Sequence, residues 1–420
     1  MRLPTNSPFK DLFFARLYYF AFMGGWGFVL PFMNLFYVSL GLSGKQIGFI
    51  ASTSALVGMF ASPVWVSEVK KHPQSQRLLQ IAIIIGAVIY SIIGNQKEFL
   101  PIIFIVFLHS LAVTGVMPLS DSMAVTVAQE TGTGYGGVRV FASLGWIVSV
   151  LSSGWLVERF GYIAAFIGVT SMWVFASGVI FFIQPRYFTS HATTAKPKIN
   201  LSATLRRILQ DRVLLGFALA LIAIGFLNSG VLQFENVFLE ELGASKRLIS
   251  VAGILSAVVE LPFMVYSDRI VRRVGAHKLF LIALVMTIFQ RLAVLSLPFI
   301  PTIMIVRFIG GVAFSFYTIS FVGLISRRTE PSETGPVLAF FTVTIAGLVN
   351  IIATPVGGRY FRRDRRKMVV CAFRKRICDR RVVSMVRDAE TNYFNRLSLK
   401  KYFDVIKFPV AQVRVQGIGV

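Results

Sequence analysis

The sequence is poor in the residues that build metal centres, disulfide frameworks and hydrolytic active sites. Its 420 residues include only two cysteines and four histidines. Both cysteines, Cys371 and Cys378, lie near the carboxyl terminus, so no spacing indicates a disulfide framework. The patterns HExxH, CxxC and GxxxxGK[ST] are absent, and with them the signs of a zinc protease, a thiol redox pair or a phosphate-binding loop. We therefore expect no enzyme activity, no metal site and no cofactor.

Charged residues are also scarce, and long apolar runs take their place. Only 15% of the residues are charged and 55% are hydrophobic, with a mean hydropathy of +0.69, whereas a soluble domain of this length requires a more polar surface. A helix needs about 20 apolar residues to cross a bilayer. Eleven segments approach or exceed that length and predict an all-α polytopic membrane protein: 14–38, 46–66, 78–95, 101–126, 139–157, 162–183, 213–238, 248–266, 279–298, 301–325 and 336–357.

Lysine and arginine predict how these spans are oriented. The loops that follow even-numbered spans hold most of the basic residues found between spans, including Lys70, Lys71, Arg206 and Arg207. Because basic loops stay on the cytoplasmic side of a membrane, we expect a multi-pass protein of the cell membrane with a cytoplasmic amino terminus.

The chain also contains an internal repeat. Residues 40–43, Leu-Gly-Leu-Ser, follow span 1 and are matched after span 7 by residues 242–245, Leu-Gly-Ala-Ser. Parallel repeats of this kind form two helical bundles around a midplane cavity, although chance similarity between apolar helices is the alternative. The repeat predicts four segments: a first bundle of six spans at 1–183, a cytoplasmic linker at 184–212, a second bundle of five spans at 213–358 and a basic tail at 359–420.

Spans 4 and 5 each carry one charge where hydrocarbon disfavours it. Asp121 lies in span 4, and Arg139 begins span 5 after a short polar turn. A lone charge at the bilayer centre costs from about 3 to more than 10 kcal/mol, so we expect the two to pair and to line a partly wet internal cavity. Trp146 follows seven residues later on span 5. A carboxylate, a guanidinium and an indole face suit a small polar or amphipathic solute, and a structural ion pair beside a core tryptophan is the alternative.

The second half has two further charges within its spans. Glu260 lies in span 8 and Arg291 in span 9. Acids inside a membrane bundle commonly form part of a proton pathway, so Glu260 with Arg291 is a candidate proton-coupling pair. A purely structural Glu260–Arg291 pair is the alternative.

The remaining polar groups within the spans have simpler interpretations. We expect Arg307 to extend toward the nearer membrane face, Glu235 to lie on a solvated rim and His109 to hydrogen-bond to a neighbouring helix. Four glycines are predicted to mark close contacts between helices: Gly24, Gly25, Gly310 and Gly311.

The loop after span 8 reads Ser-Asp-Arg-Ile-Val-Arg-Arg-Val-Gly from Ser267 to Gly275. It resembles the cytoplasmic signature G-x-L-x-D-R-x-G-R-R of the major facilitator superfamily. The order and spacing of Asp121, Arg139 and Trp146 are similar to those of the lactose permease and phenylpropionate permease-like branch of that superfamily.

This resemblance implies the major facilitator fold, in which two six-helix bundles face each other, with the twelfth helix missing from this chain. It also implies that Asp121, Arg139 and Trp146 bind the solute. The residues implied to form a conformational gate are Ser267, Asp268, Arg269, Arg272, Arg273 and Gly275.

The chain changes from mainly apolar to strongly basic after Gly358. Residues 359–420 hold 17 Lys and Arg against five Asp and Glu, and no apolar run there is long enough to cross a membrane. Our leading interpretation is a shift of the reading frame near codon 358. The alternatives are a basic helix on anionic lipid and a nucleic-acid-binding arm. The arm has no recognisable module, and we expect no nucleic-acid partner.

The function predicted from these features is secondary active transport of a small polar or amphipathic solute by alternating access, in symport with protons. The expected partners are the solute, protons and the lipid bilayer, and the expected state is a monomer. The alternative is a transporter-like membrane sensor or an inactive truncated remnant that binds solute without moving it.

Overall fold

A computed structural model describes residues 8–133, 135–188, 201–329, 337 and 340–356, and these residues form helices and turns without a β-strand. Helices are favoured because the main chain of an apolar segment in a bilayer has no water with which to hydrogen-bond. The helices of the first half are α1 (Pro8–Ser39), α2 (Gly44–Lys71), α3 (Ser75–Ile93), α4 (Phe99–Val113), α5 (Val116–Thr131), α6 (Gly136–Phe160) and α7 (Ile163–Ile180).

The second half follows a short 3₁₀ turn at Pro185–Tyr187 and the amphipathic helix α8 (Leu201–Gln210). The first long helix of this half begins directly after Asp211, which is its N-cap. The carboxylate of Asp211 accepts hydrogen bonds from the main-chain N–H groups of Val213 and Leu214. The helices of this half are α9 (Arg212–Glu241), α10 (Lys246–Val265), α11 (Ser267–Val274), α12 (Ala276–Ser296), α13 (Ile300–Arg328) and, after π-helical turns at Phe340–Ile345, α14 (Ala346–Val356).

The helices confirm the predicted fold class. Seven helical segments of the described part are long and apolar enough to span a bilayer, and α4 with α5 makes one of them, interrupted at Thr114 and Gly115. The other predicted spans coincide with α2, α9, α10 and α14. The basic tail at 359–420 lies outside the described residues, so the shift of the reading frame stays a prediction.

The turns that follow α1 and α9 share one conformation. Gly41 has a φ of +80° and Gly243 a φ of +90°, a left-handed conformation that favours glycine. In both turns the N–H of the next residue donates to the carbonyl of the residue five positions earlier, at 3.1 and 3.0 Å. The repeated sequence at 40–43 and 242–245 therefore encodes a repeated helix–turn–helix unit, one in each half.

Small residues bring α1 into contact with α6 and α7. A Cβ atom added to Gly145 of α6 would collide with the main chain of Phe20, and one added to Gly25 would collide with the indole of Trp173 in α7. The indole N–H of Trp173 donates to the carbonyl of Phe22 at 3.0 Å. Because helices in a bilayer associate through packing and hydrogen bonds, these close approaches hold the core of the first half together.

Three of the four predicted contact glycines lie at such approaches. A Cβ at Gly24 would lie 2.7 Å from the Ser149 hydroxyl, and a Cβ at Gly311 would collide with the main chain of Ser256 in α10. Gly310 is different, because its nearest neighbour would be 3.5 Å away, which is an ordinary contact. The close-contact prediction is therefore wrong for Gly310, which faces the interior of the second half.

The two halves contact each other near one end of the helices. We call the end with the turns at 40–43 and 242–245 the far end, and the end with Pro185–Tyr187 and α8 the linker end. At the far end, Lys246 of α10 forms an ion pair with Glu240 and donates a 2.5 Å hydrogen bond to Tyr162 of the first half.

Further contacts between the halves extend from the far end toward the middle of the helices. Gly154 of α6 packs against Ser250 of α10, and Gly48 of α2 packs against the main chain of Pro355 in α14. Ser52 of α2 donates to a carbonyl of α14 at 2.9 Å. Close packing and hydrogen bonds thus join the halves along two pairs of helices.

Candidate functional site

The carboxylate of Asp121 is the centre of a polar cluster in the first half. Asp121 lies in α5, and its Oδ1 accepts hydrogen bonds from the hydroxyl of Tyr19 in α1 at 2.6 Å and from the hydroxyl of Tyr135 at 2.8 Å. Arg139 of α6 donates to the same oxygen from Nη1 at 3.1 Å. The predicted contact between Asp121 and Arg139 is confirmed, because the short turn between α5 and α6 brings the two charges side by side.

The side chains of the Asp121–Arg139 pair are partly exposed. The side chains are 38% and 39% exposed, and Oδ2 of Asp121 has no hydrogen-bond partner among the described residues. The guanidinium also lies 5.8 Å from the centre of the Tyr19 ring, within the range of a cation–π contact. The cluster therefore presents one free carboxylate oxygen and further guanidinium N–H groups beside an aromatic face.

Trp146 lies on the same side of α6 as Arg139, two helical turns toward the far end. Seven residues correspond to about 10 Å along the helix axis. Its side chain is half-buried and makes neither a hydrogen bond nor a ring contact within the described part of the chain. The structure thus brings Asp121 and Arg139 together but does not place Trp146 in direct contact with them.

The predicted ion pair between Glu260 and Arg291 does not form. Both residues line one cavity of about 550 Å³ in the second half, but Arg291 donates to the amide oxygen of Asn228 in α9 at 3.0 Å. The half-buried carboxylate of Glu260 has no hydrogen-bond partner among the described residues. Asn228 thus takes the place of an anion beside Arg291, and Glu260 faces the cavity alone.

The buried ion pair of the second half joins Glu235 to Arg307, a pairing that sequence reasoning missed. Arg307 Nε donates to Glu235 Oε1 at 3.3 Å, and Arg307 Nη2 donates to the amide oxygen of Asn236 at 2.7 Å. The side chains of the pair are only 14% and 12% exposed, so Arg307 does not extend to the membrane face and Glu235 is not on a solvated rim. Both earlier interpretations are wrong, because each charge satisfies the other in the interior.

A simple depth comparison could have indicated this pair. Arg307 lies seven residues after the far-end start of α13, and Glu235 lies six residues before the far-end limit of α9. At 1.5 Å per residue both lie about 10 Å below the far end. Opposite charges at equal depth in two helices of one bundle can form an ion pair, because a lone charge at that depth is costly.

The gate segment forms the short helix α11 at the linker end. The side chains of Arg269, Arg272 and Arg273 are exposed and form no salt bridge within the described part of the chain. Gly275 ends α11 with a φ of +84° and lets the chain turn directly into α12. The side chains of Ser267 and Asp268 lie outside the described residues, so the gate stays a prediction.

No group of three or more His, Cys, Asp and Glu side chains within the described ranges could hold a metal ion. The polar groups of this molecule lie instead on the walls of helical bundles. Two halves that repeat one helical unit, each with charged side chains turned inward, are typical of polytopic helical membrane transporters.

Comparison with known proteins gives the family. The profile of the MFS_1 like family matches residues 13–372, and the chain belongs to this family of major facilitator superfamily transporters. The maltose permease of Geobacillus stearothermophilus is 27% identical over 355 residues, which cover 83% of this chain and 87% of the relative. A protein of Escherichia coli K12 named "Probable 3-phenylpropionic acid transporter" is 20% identical over 346 residues, covering 81% and 89%.

The fold is similar to that of a solved transporter. The crystal structure of the nucleoside transporter NupG superposes with a TM-score of 0.69 at 15% sequence identity and covers 83% of this chain and 90% of that one. At that identity the likeness shows the fold alone.

Proposed function

We propose that this protein is a secondary transporter that moves a small polar or amphipathic solute by alternating access, in symport with protons. The observation that carries the proposal is the half-exposed Asp121–Arg139 pair, which retains unused hydrogen-bonding groups within a membrane bundle. Charged groups in a bilayer are costly, so an accessible pair is better explained by a ligand than by stability.

The pair and Trp146 suit the two ends of one solute. Oδ2 of Asp121 accepts hydrogen bonds from solute hydroxyl or amine groups, and the guanidinium of Arg139 donates to solute oxygens. Trp146 lies about 10 Å further along α6 and offers an apolar face to the rest of the molecule. A solute with one polar and one less polar end fits this arrangement.

The contacts between the halves support alternating access. Close packing of α6 on α10 and of α2 on α14 closes the far end, and the Asp121 cluster lies toward the linker end. The positively charged loops predict that the linker end is cytoplasmic, so this arrangement is proposed to open inward. The exposed arginines of Ser267–Gly275 lie where a gate would close in the opposite state.

Glu260 is proposed to carry the coupled proton. Its carboxylate is half-buried on a cavity wall and has no partner within the described residues, so protonation breaks no existing contact. Arg291, held by Asn228 on the same wall, supplies a positive charge that favours release of the proton.

Uptake by the full-length protein in proteoliposomes tests the transport proposal. A panel of sugars, nucleosides and aromatic acids is offered with and without an inward proton gradient. Arg139→Ala and Arg139→Lys are expected to lower uptake by about tenfold or more, because each removes the guanidinium N–H groups proposed to bind the solute and a hydrogen bond to a charged group contributes about 1.5–3 kcal/mol. Arg159→Ala, an exposed arginine at the other end of α6, is the matched control. Solute binding without uptake would support the sensor alternative instead.

Proton flux driven by solute tests the coupling residue. Glu260→Gln is expected to abolish the flux, while Glu98→Gln, an exposed acid at the start of α4, leaves it unchanged. Proton flux that persists in Glu260→Gln would contradict the assignment of Glu260. Proton flux that does not respond to solute in the wild type would contradict symport.

A further inference from the structure

A second cavity lies in the first half, between α1, α2, α3 and α4. Its volume is about 460 Å³, and the described residues that line it include no Asp, Glu, Lys or Arg. The lining combines aromatic rings with neutral polar groups, chiefly Trp26, Asn34, Tyr90, His109, Ser110 and Thr114. It is therefore a polar but uncharged cavity inside a membrane bundle, and the Asp121–Arg139 pair takes no part in its wall.

His109 is the unusual residue of this cavity. It is only 7% exposed, and its ring lies 4.5 Å from the Tyr90 ring, 5.9 Å from Trp173 and 6.3 Å from Trp26. Nε2 is completely enclosed and has no hydrogen-bond partner among the described residues, so the expected bond to a neighbouring helix is not formed. Buried polar atoms are nearly always paired, so the unpaired Nε2 of a ring that lines a cavity lacks a hydrogen-bond partner that a ligand supplies once the ring turns toward the cavity.

We propose that this cavity binds an uncharged part of the solute that carries hydroxyl groups on an apolar ring. An imidazole both donates and accepts hydrogen bonds, as hydroxyl groups do, while Trp26 and Tyr90 offer flat faces to ring C–H groups. A charged group is excluded, because the described wall holds no counter-ion to offset its loss of hydration. The volume lies within the range of small-molecule sites.

The position of the cavity connects it to the proposed transport site, so the inference deepens the proposed function and rests on it. Thr114 lines the cavity at the break between α4 and α5, and Asp121 follows seven residues later, about 10 Å along the same span. A solute that enters from the linker end meets Asp121 and Arg139 first. The uncharged cavity lies beyond them, toward the far end.

The cavity also shares a wall with the contact between the halves. Ile47, Ile50 and Ala51 of α2 line it, while Gly48 and Ser52 on another side of the same helix contact α14. Separation of the halves at the far end therefore releases one side of a helix whose other side forms a wall of the cavity.

Equilibrium binding to the purified full-length protein tests the inference. The probes are maltose and uridine, which are uncharged and hydroxylated, and 3-phenylpropionate, which is anionic and has no hydroxyl group; binding is followed by quenching of tryptophan fluorescence. His109→Phe keeps an aromatic ring but removes both nitrogens. Ser149→Ala is the matched control, because Ser149 Oγ is another unpaired buried atom of the first half and does not line the cavity.

We expect at least one uncharged probe to bind with a Kd that rises about tenfold or more in His109→Phe and stays unchanged in Ser149→Ala. Thr114→Val, a second wall variant, is expected to weaken binding several-fold, which keeps the test valid if His109→Phe fails to fold. The inference is overturned if neither uncharged probe binds at about 10 mM, if only the anion binds, or if both wall variants bind as tightly as the wild type.

The outcomes separate this inference from the transport proposal. Binding that depends on His109, without uptake in proteoliposomes, would support the cavity assignment and contradict the transport function. Uptake that depends on Arg139 but is unchanged in His109→Phe would support the transport function and contradict the cavity assignment.

Discussion

The side chain of Asn236 in α9 donates a hydrogen bond of 2.9 Å to the carbonyl oxygen of Pro31 in α1, and its own amide oxygen accepts one of 2.7 Å from Arg307. One amide therefore joins the buried Glu235–Arg307 pair of the second half to the main chain of the first half. A change at the ion pair moves the group that holds α1, so the interior of the second half and the contact between the halves are linked.

Replacing Asn236 by leucine is expected to destabilise the protein. Asn236→Leu preserves the approximate volume but leaves one N–H of Arg307 and the Pro31 carbonyl without this partner, at a cost of about 1–3 kcal/mol. The measurement is the melting temperature of the purified protein in detergent. Thr53→Val is the control, since this hydroxyl donates only to a carbonyl of its own helix. Equal melting temperatures for the two variants would show that the Asn236 bonds contribute nothing.

A charge exchange at the far end is expected to reveal the contact between α6 and α10. Arg247 Nε lies 3.5 Å from Glu158 Oε1, and both side chains are partly exposed, so the pair contributes about 0–1 kcal/mol. Glu158→Lys and Arg247→Glu should each lower the melting temperature, whereas the double variant recovers part of the loss. Glu98→Lys combined with Arg247→Glu is the control without a direct ion pair. Strictly additive effects in the double variant would contradict the contact.

Replacement of two different glycines by alanine is expected to change the stability of the protein in opposite directions. Gly145→Ala drives a Cβ atom into the main chain of Phe20, and the strain of separating α1 from α6 should cost about 1–3 kcal/mol. Gly178→Ala in α7 meets no atom within 4 Å, and alanine favours helix by up to about 1 kcal/mol over glycine. Thermal melting of both variants checks the difference. A loss of stability in Gly178→Ala equal to that in Gly145→Ala would contradict the close approach.

Alkaline titration is expected to weaken the attachment of the linker to α5. Glu130 Oε2 accepts hydrogen bonds from Arg186 and from the Tyr187 hydroxyl, each at 2.8 Å. Burial, followed by the hydrogen bond to Glu130, raises the pKa of Tyr187 to about 12. Because the folded-state pKa is raised from 10, this contribution to stability is present below pH 10 and is lost as the pH rises through about 12.

The difference between wild type and Tyr187→Phe isolates this group from the other tyrosines. Melting temperatures measured from pH 9 to pH 12 should differ most at the lower pH and converge at the upper limit. A difference that stays constant over this range would show that ionisation of Tyr187 does not affect the attachment.

The first-half pair was predictable because the sequence restricts its geometry. Asp121 and Arg139 lie on consecutive spans joined by a short turn, which makes the two helices neighbours. The sequence left open only which side of each helix faces the other. Apolar run length likewise predicted the helices, since a bilayer offers the main chain no other way to satisfy its hydrogen bonds. The repeated Gly41 and Gly243 turns follow from glycine's access to positive φ.

The second-half contacts could not be predicted in the same way. Glu260 and Arg291 lie on successive long spans, but which side of each helix faces the other is set by packing rather than by charge. Asn228 occupies the position beside Arg291, and Glu235 pairs with Arg307 instead. The uncharged cavity around His109 is likewise formed by four helices whose mutual rotation no single segment encodes.

The sequence by itself determined the helical membrane class, the repeated glycine turns and the proximity of Asp121 to Arg139, because each depends on hydrophobic length, on glycine's access to positive φ or on a short connection. Tertiary structure alone decided which distant charges meet, which glycines touch a neighbouring helix and where the cavities open. These depend on the rotation and depth of packed helices, which only the sum of many weak contacts fixes.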